Sequence, residues 1–78
     1  MIEQHYKVVV ESDIDVIYEY CDDPEFERDF IQATDKSYDA QTDGYNGEVF
    51  AMFDNKEDAE ECEVLLTKVM RKYEGKKQ

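Results

Sequence analysis

Residues 54–73 read DNKEDAEECEVLLTKVMRKY, and how this stretch packs decides how the rest of the chain must fold. Ala59, Cys62, Leu66, Val69, Met70 and Tyr73 recur at the i, i+3, i+4, i+7 spacing of a helix with one buried face. Leu65 lies on the shoulder of that stripe. Asp54 followed by Glu57 reads as a capping-box-like start, and Gly75 reads as the residue that stops the helix. The opposite face separates its charges. Glu57, Asp58, Glu60, Glu61 and Glu63 fill the first half, while Lys68, Arg71 and Lys72 fill the second.

The helix dipole favours acids only within about the first turn, at roughly 0.3–1 kcal/mol each. That accounts for Glu57 and Asp58 alone. Glu60, Glu61 and Glu63 create like-charge neighbours (57/60, 57/61, 58/61, 60/63), each costing about 0.2–0.5 kcal/mol. Lys56 offsets this locally, four residues before Glu60. A helix arranged for stability would interleave its lysines with these acids. Val64 projects between Glu57, Glu60 and Glu61, away from the apolar stripe, where an apolar residue has no local reason to be. Glu57, Glu60, Glu61, Glu63 and Val64 are therefore candidate partner-binding residues.

The chain has 78 residues, with 21 acids against nine bases and a net charge of −12. Its length predicts a single acidic α+β domain over residues 1–78, with a thin core. Hydrophobic content of 41%, including six Tyr and four Phe, suffices for a globular fold despite the charge. Such acidity argues against nucleic acid or anionic membrane as a direct partner, and makes a basic protein surface the natural complement. The N-terminal MIEQHYKVVVE lacks the basic region and apolar run of a signal peptide. No segment approaches the roughly 20 apolar residues that span a bilayer. Cys21 and Cys62 each fall on an apolar helical stripe and read as buried free thiols in a reducing compartment, with an interhelical disulfide as the alternative. A cytoplasmic location is the expectation.

Residues 5–11 (HYKVVVE) form a β-branched run with Tyr6, Val8 and Val10 on one face, the pattern of a strand. Ser12 or Asp13 caps a first helix over about residues 13–22, with Ile14, Ile17, Tyr18 and Cys21 as its inner stripe. Val16 and Tyr20 then fall on its outer side among Asp13, Glu19 and Asp23. Asp13, Glu19, Tyr20 and Asp23 form a second candidate partner-binding patch. Pro24 stops that helix and opens a short second turn holding Phe26 and Phe30. Residues 31–41 read as a polar strand, with Asp35, Ser37, Asp39 and Gln41 on one face. TDGYNG (residues 42–47) is a hairpin turn, and EVFAMF (residues 48–53) is the central strand.

The expected order is β-α-β-β-α, with two helices on one face of a three-stranded antiparallel sheet and the other face uncovered. Either Phe50 and Met52 or Val49, Ala51 and Phe53 must lie on that open face. A homodimer through it is one way to cover the apolar area.

The chemistry of catalysis has little support. His5 is the sole histidine, and neither GxxxxGK[ST] nor GxGxxG occurs. Asp39, Gln41, Asp43 and Gly44 match the first ligand positions of a calcium loop, but its twelfth position is Phe50 rather than Glu. Two distant cysteines and one histidine do not make a zinc site. No enzyme activity, cofactor or metal is expected.

The remaining signal is the arrangement of acids: Asp13, Asp15, Glu19, Asp22, Asp23, Glu25, Glu27, Asp29, Asp35, Asp39 and Asp43, followed by the helix cluster. Rows of carboxylates on a rigid scaffold imitate the charge of a phosphate backbone, and carboxylate fits guanidinium as phosphate does. The chain resembles the small acidic DNA-mimic inhibitors that phages and mobile elements use against host nucleases, restriction enzymes and CRISPR complexes. Its inferred strand order, with EDAEECE (residues 57–63) in the last helix, also resembles the damage-inducible regulators of the RecA filament, whose acidic C-terminal helix is the working surface. Here the acids lie in the first half of that helix. These resemblances imply a non-enzymatic inhibitor that blocks a basic nucleic-acid-binding protein. The alternative is an acidic adaptor or regulatory protein whose basic partner has no nucleic-acid site.

Overall fold

Val8 and Val10 are buried while Lys7, Val9 and Glu11 are exposed, the two-residue period of a strand with one covered face. This strand, β1 (Tyr6–Glu11), is followed by α1 (Ile14–Tyr20), α2 (Pro24–Ala33), β2 (Asp39–Asp43), β3 (Glu48–Phe53) and α3 (Lys56–Lys77) in a computed structural model that describes residues 5–77. The three strands form one antiparallel sheet in the order β1-β3-β2, with the most apolar strand at its centre. The fold is α+β.

The register pairs Val8 with Ala51 and Val10 with Val49, so all four point to the same side. On that side α3 packs across β1 and β3, and α2 lies alongside α3. The core joins Val8, Val10, Val49, Ala51 and Phe53 to Leu66, Met70 and Tyr73 of α3, with Phe26 of α2 and Ile17 of α1 closing its ends. Ala59, Cys62, Leu66, Met70 and Tyr73 are buried and Val69 is half-buried, as the helical period requires.

Three helices form where two were expected. Asp23 accepts hydrogen bonds from Glu25 N and Phe26 N, and Pro24 occupies the first turn, where its missing N–H costs nothing. The helix so started runs through Ile31–Ala33, which the sequence pattern assigned to a strand. It ends at Thr34, whose hydroxyl donates to Phe30 O at 2.8 Å. Asp35 and Ser37 therefore lie outside β2, and only Asp39 and Gln41 of the expected polar row are in it.

Two further corrections concern α3. Asn55 rather than Asp54 caps it: Asn55 Oδ1 accepts from Glu57 N at 2.8 Å and Asp58 N at 3.2 Å. Gly75 does not end it, because the helix continues to Lys77.

The inner face of α1 is also rotated from the expected one. Val16 and Ile17 are buried and Tyr20 is half-buried against Tyr73, with ring centroids 5.0 Å apart. Ile14 and Tyr18 are exposed, and so is Cys21. Only Cys62 is a buried thiol; both cysteines are free. The α1 start is fixed from outside the helix, by Ser12 N donating to Gly47 O at 2.8 Å. Gly47 has φ +70, and a Cβ there would lie 2.9 Å from Ser12 O, so this turn requires glycine.

Candidate functional site

Arg71, Lys72 and Lys76, in the second half of α3, are engaged within the fold. Lys72 Nζ lies 2.9 Å from Asp29 Oδ2 and 3.2 Å from Glu25 Oε1, and Lys76 Nζ lies 3.0 Å from Glu25 Oε2. Arg71 pairs with Glu74 and donates to Glu11 O at 2.8 Å. α2 and α3 run antiparallel, which brings the acidic start of α2 against the basic end of α3. Those bonds keep Glu25 and Asp29 below the usual carboxylate range, chiefly through Lys76 for Glu25 and Lys72 for Asp29.

The acidic half of α3 is compensated only at its α2-facing edge. Glu57, Glu60 and Glu63 are exposed and make no ion pair among the described residues. Lys36, which the sequence reading did not single out, stands 3.7 Å from both Asp58 and Glu61. It follows α2 and so reaches only the α2-facing shoulder of α3. Val64 is 55% exposed on the face that carries Glu57, Glu60 and Glu61. An apolar centre with a charged rim is the arrangement found at binding hot spots.

The second candidate patch is more engaged. Asp13 Oδ1 accepts from Asp15 N at 3.0 Å and caps α1, while Asp23 caps α2. Tyr20 is half-buried on Tyr73 rather than displayed among these acids, which removes it as a free contact residue. Glu19 is exposed. The two patches are also far apart. Ser12, next to Asp13, hydrogen-bonds Glu74, 14 residues beyond Glu60 on α3, or about 21 Å at 1.5 Å per residue.

The uncovered sheet face is a third surface. Its cross-strand rows are Lys7–Met52–Asp39, Val9–Phe50–Gln41 and Glu11–Glu48–Asp43. Val9 is 42% exposed, Phe50 and Met52 are half-buried, and Lys7 Nζ sits 4.9 Å from the centre of the Phe50 ring. The last row sets three carboxylates side by side, a destabilising arrangement for like charges. Asp43 is held below its usual range by Asn46, whose Nδ2 donates at 2.7 Å.

His5 is exposed, with Nδ1 3.0 Å from Tyr38 Oη and 3.5 Å from Asp54 Oδ1. Among the described residues no group of three or more His, Cys, Asp or Glu could hold a metal ion. The calcium-loop residues are arranged differently: Gln41 Nε2 donates to Asp39 Oδ1 at 3.4 Å, and Asp43 caps the hairpin turn. Among the described residues no helix is long and apolar enough to cross a membrane. A scan against protein-family models, a search of curated proteins and a search of solved structures each return no match for the chain.

Proposed function

We propose that the chain is a non-enzymatic inhibitor acting in the cytoplasm, the host cytoplasm if phage-encoded. Its acidic surface substitutes for nucleic acid on a basic nucleic-acid-binding protein, such as a host-defence nuclease, restriction enzyme or CRISPR complex. The observation that carries this reading is the division of charge along α3. The bases Lys72 and Lys76 are bound to α2, while Glu57, Glu60 and Glu63 face outward without a partner among the described residues. A rigid helix thus holds carboxylates where an arginine-rich phosphate site would meet them, and bidentate pairing suits either anion.

A second reading is an acidic adaptor that binds a basic protein away from any nucleic-acid site. Val64 favours it, because a phosphate backbone offers no apolar counterpart to an exposed valine. In both readings Glu57, Glu60, Glu61 and Val64 lead the contact, with Glu63 at its edge and Asp13, Glu19 and Asp23 as a separate patch.

Immobilised wild-type chain, and a variant with Glu57→Gln, Glu60→Gln and Glu61→Gln, are to be used to capture proteins from a bacterial lysate. A nucleic-acid-binding protein retained by the wild type and lost by the variant supports inhibition through α3. Equal retention by both chains contradicts it.

A further inference from the structure

β2 is an outer strand, and among the described residues no strand pairs with its free side. The backbone N–H and C=O groups on that side can accept another chain. Beneath the edge, α2 leaves a cleft of about 390 Å³ lined by Cys21, Phe26, Glu27, Phe30, Ala40 and Thr42 among others. Phe26 and Phe30 stack with centroids 5.9 Å apart and give the cleft an apolar floor. Glu27 is exposed beside them. Above the edge, on the uncovered sheet face, the same strand presents Asp39, Gln41 and Asp43.

We infer that the free edge of β2 accepts an extended segment of a partner protein in which basic and apolar side chains alternate. Side chains of an added strand point alternately to the two faces of the sheet. On the open face they meet Asp39 and Asp43, which select lysine or arginine. On the other face they lie over Phe26, Phe30 and Ala40, which select an apolar residue. Main-chain hydrogen bonds supply affinity and the alternating surroundings supply specificity, the mode of peptide recognition by strand addition.

A second copy of the chain is a poorer occupant. Two-fold antiparallel pairing of β2 with itself, keeping all five residues in register, sets Asp39 against Asp43 of the second copy at both ends. Like charges directly opposite each other destabilise a strand pair. The Asn46 and Tyr45 amides on Asp43 keep that carboxylate ionised, so protonation does not relieve the repulsion near neutral pH. The inference does not depend on nucleic-acid mimicry, since it concerns a different surface from the outer face of α3.

The test uses the whole chain and a fluorescein-labelled peptide of alternating lysine and valine, read by anisotropy at fixed ionic strength and by amide hydrogen exchange. Binding is expected to slow exchange in residues 39–43. Full N-methylation of the peptide, which removes its amide donors, should weaken binding by about tenfold or more, as should Asp39→Lys combined with Thr42→Lys. The peptide arm does not rely on any variant folding. Glu57→Gln, Glu60→Gln and Glu61→Gln together should leave binding unchanged. Unaltered exchange in residues 39–43, or equal loss in the α3 variant, overturns the inference. Protection of those amides that rises with protein concentration and no peptide assigns the edge to a second copy and also overturns it.

Discussion

The Tyr73 hydroxyl donates to Asp29 Oδ2 across 2.8 Å, at a carboxylate oxygen that also accepts from Lys72 at 2.9 Å. One carboxylate thus joins α2 to α3 at the fully buried ring of Tyr73, which packs on Phe26 and Tyr20. Burial, then the bond to Asp29, pushes the Tyr73 phenol up to about 12. The Lys72 and Tyr73 bonds hold Asp29 below its ordinary value.

The signs of the two shifts set two pH windows. A depressed carboxylate stabilises the fold above its unfolded pKa, near 3.9, and the contribution is lost as pH falls through the lower folded value. A raised phenol stabilises it below about 10, and that contribution is lost as pH rises towards about 12. Asp29→Asn and Tyr73→Phe should each cost about 1 kcal/mol at neutral pH, the worth of a hydrogen bond. In urea titrations the gap between Asp29→Asn and wild type should close below about pH 4, and that for Tyr73→Phe above about pH 10. Gaps that stay constant across these windows would contradict the assignment.

Two glycines should respond in opposite directions. Gly47→Ala forces a Cβ into a left-handed backbone conformation against Ser12 O, and should cost at least about 1–2 kcal/mol. Gly75 lies within α3 with nothing within 4 Å of a Cβ, so Gly75→Ala should stabilise the chain by up to about 1 kcal/mol. Thermal denaturation of the two variants checks both signs. Loss of stability in Gly75→Ala would mean that the helix stops there after all.

Val64 and Leu66 lie two residues apart, one 55% exposed and the other fully buried. Val64→Lys should leave stability within a few tenths of a kcal/mol, because it meets Glu57, Glu60 and Glu61. It should still weaken binding to the captured partner by more than about 1 kcal/mol. Leu66→Ala should cost about 2–5 kcal/mol of folding free energy. Denaturation and binding curves on the same preparations separate the roles; unfolding of Val64→Lys would mean that α3 is buried on both sides.

These residues also mark what could be read from sequence. The α3 stripe was legible because its period repeats from Ala59 to Tyr73, enough turns to fix one face. α1 has only seven residues, and Ile14, Ile17 and Tyr18 form as good a stripe as Val16, Ile17 and Tyr20. The choice rests on Tyr20 meeting Tyr73, 53 positions later. The exposed acids and Val64 followed from local spacing. The engagement of Lys72 and Lys76 did not, since Asp29 and Glu25 lie 43 and 51 residues away in sequence. Asp13 and Asp23 were singled out for their charge, but cap geometry engages both.

Self-association through the open sheet face should depend on salt. Val9, Phe50 and Met52 offer apolar area, while Glu11, Glu48 and Asp43 repel a second copy. A homodimer should therefore form only at high protein concentration and about 0.5 M salt, where screening shortens to a few Å. Light scattering that gives a monomer even there would remove the homodimer.

Competition on the captured partner separates nucleic-acid mimicry from binding at another site. Duplex DNA is titrated into the preformed complex, and retention of the chain is followed at fixed ionic strength. Affinity without DNA should fall as salt rises from about 50 to 200 mM, mainly through the association rate. Mimicry requires mutual exclusion: DNA displaces the wild-type chain, and excess chain displaces DNA. A ternary complex in which the partner holds both at once would contradict it.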